Sequence, residues 1–383
     1  MKRPSLPLAG AMAALLCSGL LLACSTVFND SEQPPMQTFA NPYVLTEDTG
    51  ARVSATYFLR RAWVQITRDL SRTEVPPTVP LDIEAMAQRP FAVAWLGHSA
   101  MLMRVGSLWV LLDPVLTDTA APVAGFGPAR LTSLPLPLDG LPHIDVVLTS
   151  HDHYDHLDLP TVRHLARQRG GPPRFFVGRG LESWFEDHVQ APAHSFDWWQ
   201  AATVGAVTFQ FVPAQHSSGR GPRKHNTTLW GGWVVENEVA GSLRRFYFPG
   251  DTAYVQAMFK DIRQRVGPID LAALPIGAYQ PRAQMRFEHM DPDDAVRAHE
   301  DLGAARSFGV HWGTFQLGDE EPFEPARDLT AATKRRGGDG FGLIPVGAVL
   351  DVVSVSGAGA ALLEPSDLVP STAKGARGAM DSK

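Results

Sequence analysis

The residues best suited to chemistry lie in one short stretch, residues 150–156, which reads Ser-His-Asp-His-Tyr-Asp-His. Three imidazoles and a carboxylate form the pattern His-x-His-x-Asp-His there, and ordinary packing does not require such a density. Imidazole and carboxylate ligands suit zinc, iron or manganese rather than copper(I). On a tight loop, His151 and His153 can face one metal ion while Asp155 and His156 face a second. The pattern favours a binuclear hydrolase, and the alternative is a surface loop that happens to be rich in histidine.

Three more candidate ligands follow apolar runs that read as strands. His216 comes after residues 209–214, Asp251 after a run that ends at Phe248, and His311 after residues 308–310. Functional groups in α/β proteins collect on the loops at strand ends. Each residue taken alone could be an ordinary turn residue, but their order behind the His cluster makes them a set.

The elements that must position these residues are short strands mixed with helices, without strict alternation. This mixture predicts an α/β fold of the four-layer αββα type, with two sheets covered by helices on both outer faces. Strands are predicted at 91–95, 100–105, 108–112, 144–149, 174–177, 204–212, 228–235, 245–248, 271–275, 307–310, 341–345 and 348–353. Helices are predicted at 57–70, from an Asp cap at 155 or 158 to 169, at 255–265, from Asp291 onward, and at 325–336.

Composition and the N-terminus restrict the class of protein. The chain has 383 residues, 44% hydrophobic and 19% charged, which suits a globular domain. A net charge of −6 argues against nucleic-acid binding. Lys2 and Arg3 precede an apolar run over 6–23, which is typical of a signal peptide. The run ends Leu-Leu-Ala-Cys, which is similar to a bacterial lipobox with Cys24 as the lipid attachment site.

The predicted organisation is a lipoprotein signal peptide at 1–23, a tether at 24–50, a hydrolase domain at 51–355 and a disordered tail at 356–383. Cys17 would leave with the signal peptide, so the mature domain would have no disulfide. Ser25 after Cys24 indicates, by similarity to lipoprotein sorting, a cell-envelope protein on the outer membrane facing the periplasm. A plain secretory signal or an N-terminal anchor helix is the alternative.

The order His-x-His-x-Asp-His, His, Asp, His resembles the metallo-β-lactamase fold superfamily over roughly residues 92–315. Within it, the chain is similar to the family of phospholipases D that hydrolyse N-acyl-phosphatidylethanolamine. Two segments, 275–279 (PIGAY) and 311–315 (HWGTF), favour this family over glyoxalase II and classical β-lactamases. All the similar segments are 95–98 (WLGH), 112–114 (LDP), 150–158 (SHDHYDHLD), 213–216 (PAQH), 228–233 (TLWGGW), 250–252 (GDT), 274–279 (LPIGAY), 288–292 (EHMDP) and 311–315 (HWGTF).

The resemblance implies a role for each matching residue. One metal would be held by His151, His153 and His216, and the other by Asp155, His156 and His311, with Asp251 bridging both. Asp155 would also orient the attacking hydroxide, and His289 would act beside the substrate phosphate. His98 and Asp113 would orient ligands rather than react. The cofactor is then two divalent metal ions, with zinc the first choice and iron or manganese the alternatives.

The resemblance also implies an activity and partners. A hydroxide between two metals would cleave a phospholipid substrate, N-acyl-phosphatidylethanolamine, to N-acylethanolamine and phosphatidic acid. A homodimer and membrane attachment through Cys24 are expected, and no nucleic-acid partner. Two alternatives remain open. One is another hydrolase of this fold, such as a lactonase or a β-lactamase-like enzyme. The other is a non-catalytic metal-binding envelope lipoprotein.

Overall fold

The computed structural model describes residues 38–43, 45, 73–123, 127–221, 225–337, 339–353, 362–363 and 368. The predicted signal peptide, Cys24 and the predicted helix at 57–70 lie outside these residues. Most of the predicted C-terminal tail lies outside them too, although Leu363 pairs with Leu343 in a short β-bridge. Within the described part of the chain, none of the helices has both the length and the apolar character needed to cross a membrane.

Seven α-helices, fourteen strands and one 3₁₀ turn, Leu138–Gly140, make up the described part of the fold. The helices are α1 (Ile83–Ala87), α2 (Leu159–Ala166), α3 (Glu182–His188), α4 (Gln256–Val266), α5 (Arg282–Met285), α6 (Pro292–Leu302) and α7 (Glu324–Arg336). The strands are β1 (Phe91–Trp95), β2 (Met101–Val105), β3 (Leu108–Leu112), β4 (Val146–Leu148), β5 (Arg174–Gly178), β6 (Ala193–Phe196), β7 (Ala201–Val204), β8 (Val207–Val212), β9 (Gly232–Val239), β10 (Ser242–Phe248), β11 (Leu271–Pro275), β12 (Ser307–Val310), β13 (Phe341–Gly342) and β14 (Val349–Asp351).

The strands form two seven-stranded mixed sheets. The first has the order β14-β1-β2-β3-β4-β5-β6, and the second β13-β12-β11-β10-β9-β8-β7. Strands β3 to β6 are parallel, and β1 runs in their direction because two antiparallel pairings separate it from β3. In the second sheet, β8 runs with β10, β11 and β12 for the same reason. The carboxyl ends of these strands therefore share one edge of each sheet.

Successive side chains along a strand point to opposite faces of the sheet, and so they enter two different cores. In β1, Phe91, Val93 and Trp95 point into the large core shared with the second sheet. Ala92 and Ala94 point the other way, into a second core with residues of α2 and α3. Buried residues of α4, α6 and α7 join the large core from the far side of the second sheet. The predicted sandwich of two sheets between helical layers is confirmed.

Some elements differ from the sequence prediction. The predicted strand at 204–212 is the end of β7, a turn at Gly205 with φ 61, and β8. The prediction also missed the helices α1, α3 and α5 and the strand β6. Helix α3 buries only Phe185, and β6 reads Ala-His-Ser-Phe with one buried residue, so neither carries a clear apolar period.

Candidate metal centre

The candidate ligands gather at one edge of the sandwich because each follows a strand of the same direction. The loop that carries residues 150–156 follows β4, between the loops after β3 and β5 in the sheet. The second sheet contributes the loops that follow β8, β10 and β12, and His289 lies between α5 and α6, after β11. The residues brought together are His98, Asp113, His151, His153, Asp155, His156, His216, Asp251, His289 and His311.

A first group consists of His151, His153 and His216. The Nδ1 atom of His153 lies 2.9 Å from Nε2 of His151 and 3.2 Å from Nε2 of His216. Burial and the neighbouring imidazoles hold the pKa of His151 well below 6.5, and burial also lowers the pKa of His153. Neutral imidazoles whose ring nitrogens converge so closely present lone pairs that a cation can share.

A second group consists of His98, Asp155, His156 and His311. Oδ2 of Asp155 lies 3.0 Å from Nε2 of His98 and 3.4 Å from Nε2 of both His156 and His311. His98 is closer to Asp155 than are His156 and His311, which the sequence predicts as ligands. The distance between His98 and Asp155 fits the predicted orienting role, although His98 also belongs to a group of residues that could hold an ion.

Asp251 lies between the two groups. Its Oδ1 is 3.1 Å from Nε2 of His311, and its Oδ2 is 3.2 Å from Nε2 of His156 and 3.8 Å from Nε2 of His216. His289 lies on the same side, with Nδ1 3.7 Å from Oδ2 of Asp251. This is the position that a bridging ligand would need, and the bridging role stays a prediction.

Hydrogen bonds from outside the groups fix the ring orientations. Oδ2 of Asp113 lies 2.7 Å from Nδ1 of His156, and its two oxygens also accept the backbone N–H and the hydroxyl of Ser150. Nδ1 of His216 lies 3.0 Å from the carbonyl oxygen of Glu288. A proton held on Nδ1 leaves the Nε2 lone pair directed into the cluster, which is how supporting groups orient histidine ligands.

Two carboxylates of the cluster favour positive charge on His156 and His311. Burial alone would raise the pKa values of Asp155 and Asp251, but the surrounding imidazoles hold both well below the usual range. Burial opposes protonation of His311, yet Asp251 and Asp155 raise its pKa to about 9. The same carboxylates hold the pKa of His156 well above 6.5. The two buried carboxylates are thus stabilised by positively charged imidazoles, and divalent ions would stabilise them in the same way.

Two further observations fit a metal ion. Nε2 of His156 and Oδ1 of Asp251 are buried and lie within 3.2 Å of other cluster atoms, yet neither atom forms a hydrogen bond. A buried polar atom without a hydrogen bond costs free energy unless another ligand satisfies it. The backbone is also left-handed at His98, Asp113 and His311, with φ values of 53, 38 and 61. Such strain in residues other than glycine persists where the surroundings impose it, and it clusters at functional sites. The donor set fits divalent metals.

Arg220 is a supporting residue that sequence reasoning assigned differently. The sequence predicts Arg220 either as part of a basic cluster, with the residues at 223 and 224, that would attract an anionic phosphate, or as part of a solvated loop. In the structure its Nη1 donates to the carbonyl oxygens of Asp152 and Leu157 at 2.7 and 2.8 Å. The guanidinium also covers the Tyr154 ring at 4.0 Å. Arg220 therefore holds both ends of the histidine loop, and no local signal could have revealed contacts with residues more than 60 positions away. The two other basic residues of that cluster, at 223 and 224, lie outside the described residues.

The fold and the site together define a metallohydrolase, and comparison with known proteins agrees. Residues 108–312 match the family described as Beta-lactamase superfamily domain, and the chain belongs to this family. The matched region contains all seven predicted ligands and His289. The isothiocyanate hydrolase from Delia radicum gut bacteria has a similar fold, with a TM-score of 0.52 at 16% identity over 68% of this chain and 98% of that one.

Two sequence relatives are phospholipases. The chain is 39% identical over 243 residues to N-acyl-phosphatidylethanolamine-hydrolyzing phospholipase D 1 of Caenorhabditis elegans, which covers 61% of this chain and 67% of that protein. It is 31% identical over 245 residues to the mitochondrial N-acyl-phosphatidylethanolamine-hydrolyzing phospholipase D of Saccharomyces cerevisiae. That match covers 63% of this chain and 51% of the yeast protein, so the chain spans half to two thirds of these relatives.

Proposed function

We propose that this chain is a binuclear phosphodiesterase of the phospholipase D type, which hydrolyses N-acyl-phosphatidylethanolamine-like lipids to N-acylethanolamine and phosphatidic acid. The observation that supports this function is the 39% identity to a relative named for that reaction. The family match spans residues 108–312, a range that contains the seven predicted ligands and His289. The cluster of histidines and carboxylates supports metal-dependent hydrolysis, and the names of the relatives support the choice of a phospholipid substrate.

Two divalent ions would be held by the two groups. His151, His153 and His216 would hold one ion, Asp155, His156 and His311 the other, and Asp251 would contact both. When bound, such a pair lowers the pKa of water and offsets charge on a phosphodiester. Nitrogen and oxygen donors without a thiolate suit zinc, and they also accept iron or manganese.

Asp155 and His289 would act on the substrate side. Asp155 is ionised because its pKa is held low by the surrounding imidazoles. Its oxygens are therefore hydrogen-bond acceptors that can orient attacking water. Burial keeps the pKa of His289 well below 6.5, so the ring is neutral and carries one N–H. Its Nδ1 has no hydrogen-bond partner and the side chain is 12% exposed, which leaves the ring available to a phosphate or a leaving oxygen.

A lipid anchor would suit a lipid substrate. We propose attachment through lipidated Cys24 to the outer membrane, facing the periplasm, and a homodimer in solution. About 14 residues separate Cys24 from Thr38, where the described chain begins, and they can span at most about 50 Å. An anchored site would therefore stay close to the bilayer surface. Globomycin sensitivity and mass spectrometry of the mature N-terminus test the anchor, and light scattering tests the dimer.

The test of the function is hydrolysis of a defined N-acyl-phosphatidylethanolamine in ¹⁸O-water, with products read by mass spectrometry. The native protein should release N-acylethanolamine and place ¹⁸O in phosphatidic acid, because water attacks phosphorus. Asp251→Asn should lose the activity. Asp270→Asn is the matched control, since that carboxylate accepts the backbone N–H of Arg245 beside the amino end of β11, away from the site.

Three other results would change the proposed function. Cleavage of a lactone, a β-lactam or a simple phosphodiester, with the lipid intact, would retain the metal centre and reject the substrate. Diacylglycerol as the product would place the cleavage at the other phosphoester bond. Bound metal with no hydrolysis of any of these compounds would favour a non-catalytic envelope protein.

A further inference from the structure

The segment that precedes the catalytic domain reaches the metal centre. Residues 38–43, which the sequence predicts as part of a tether, lie against the loop between β8 and β9, and we call them the strap. The backbone N–H of Phe39 donates to the carbonyl oxygen of Asn226 at 2.8 Å. The guanidinium of Arg179 covers the Phe39 ring at 5.1 Å. The Tyr43 hydroxyl donates to Asp261 at 2.6 Å. The strap is thus held at both ends.

Asn41, at the centre of the strap, binds the backbone of His216. Its Nδ2 donates to the His216 carbonyl oxygen at 2.9 Å, and its Oδ1 accepts the His216 N–H at 3.2 Å. The same oxygen accepts the indole N–H of Trp230 at 3.0 Å. One amide side chain therefore satisfies both backbone groups of a residue 175 positions away. Pro42 disfavours a helical backbone at Asn41, which limits the conformations of the strap before it docks.

We infer that Asn41 is a positioning residue of the metal centre, which fixes the His216 backbone so that its imidazole reaches the first group. This inference rests on the proposed role of His216 as a ligand. The carbonyl oxygen of Glu288 contacts Nδ1 of His216, and this contact fixes only the rotation of the imidazole ring about its side-chain bonds. Nε2 of His216 must also lie at the right distance from Nδ1 of His153, which is 3.2 Å away. The position of the His216 backbone sets that distance.

The residues next to His216 are held by other groups: the Gln215 backbone bonds Thr252 and Ala253, and the Ser217 hydroxyl donates to Glu288. Within the described part of the chain, however, Asn41 is the group that bonds the backbone of His216 itself. His216 lies 4 residues beyond the end of β8 and 16 before β9, so no sheet pairing holds it. Ser218 exchanges hydrogen bonds with Asn226, and the Asn226 carbonyl is the group that accepts from the strap. Removal of Asn41 would leave the buried His216 N–H and C=O without partners, and the loop would relax to satisfy them.

The experiment uses the full-length protein and compares Asn41→Ala with Tyr43→Phe. Both variants remove strap contacts, but only the first removes contacts with His216. Metal affinity is measured by competition with a chelator, and the visible spectrum of the cobalt(II)-substituted protein reports ligand geometry. Loss of an outer partner of a metal ligand typically weakens binding 10–100-fold. We expect that loss for one ion in Asn41→Ala, a changed cobalt spectrum, and native affinity within twofold in Tyr43→Phe.

Asn41→Asp and His216→Ala complete the series. The aspartate keeps the acceptor for His216 and Trp230 but loses the donor to the carbonyl oxygen, so its affinity should fall between those of the native protein and Asn41→Ala. Equal losses in Asn41→Ala and Tyr43→Phe would show that strap docking alone matters, and native affinity in Asn41→Ala would also reject the inference. If His216→Ala keeps both ions, the proposed metal centre itself is wrong. If it loses one while Asn41→Ala binds normally, only the role of Asn41 fails.

Discussion

Asp113→Asn should weaken metal binding without unfolding the protein. The carboxylate is fully buried, and it receives three hydrogen bonds, from the backbone and hydroxyl of Ser150 and from Nδ1 of His156. Asparagine has nearly the same shape and can keep the bond from the Ser150 N–H. Its amide group, however, presents hydrogens to His156 where the carboxylate presented a lone pair, so the imidazole must change its protonation or its orientation.

The size of the effect follows from the bond that is lost. A hydrogen bond that involves a charged group contributes about 1.5–3 kcal/mol. Each 1.4 kcal/mol is a factor of ten in an equilibrium constant, so the affinity for the ion at His156 should fall about 10–100-fold. The same range is typical when a partner of a ligating histidine is removed. Burial raises the pKa of Asp113, and the bonds from His156 and Ser150 oppose that shift, which indicates that the ionised form depends on these partners.

Chelator competition measures the affinity, and circular dichroism confirms that the variant is folded. Asp145→Asn is the matched control, because Asp145 precedes the same strand, β4, at its opposite end and accepts the Trp109 N–H at 2.8 Å. We expect native metal affinity in the control. Native affinity for both ions in folded Asp113→Asn would refute the orienting role of this carboxylate.

Three further outcomes are expected. Arg220→Met should lower kcat and metal affinity together, because the loop loses its two carbonyl contacts, and lysine at this position should restore part of the loss; an unchanged kcat would contradict that role. Gly250→Ala should lower the melting temperature more than Gly205→Ala. Both glycines have φ above 60°, but only at Gly250 would a new Cβ lie 2.5 Å from the Ser150 side chain; equal shifts would mean that this contact relaxes. Metal affinity should rise with pH up to about 9, because His311 has a raised pKa of about 9 in the metal-free protein and must lose its proton to bind. Calorimetry in buffers of different ionisation enthalpy should show proton release at pH 7, and its absence would contradict the assignment.

The sequence predicts the candidate metal ligands better than it predicts the residues that hold those ligands in place. The spacing of His151, His153 and His156 places three imidazoles on one loop, and the strand-end positions of Asp251 and His311 follow from apolar runs. These signals are local, so a single sequence contains them. The sandwich follows in the same way from the mixture of short strands and helices.

The residues that hold the ligands in place make contacts between distant parts of the chain. Asn41 reads as a tether residue because it lies in a mostly polar stretch with prolines at 34, 35 and 42, and its partner lies 175 positions away. Arg220 reads as a solvent-exposed cation because its loop is basic, yet its guanidinium faces backbone carbonyls. The sequence likewise gives no sign that His98 lies 3.0 Å from Asp155, since the distance depends on how the β1 loop meets the β4 loop.

The number of metal ions per chain tests the account most directly. Elemental analysis of the purified full-length protein should give two divalent ions in the native chain. His153→Ala and His311→Ala should each retain one, because they remove ligands from different groups, and Asp251→Asn should weaken both sites. A native protein that saturates at one ion, or a single substitution that removes everything while the other removes nothing, would contradict a binuclear centre.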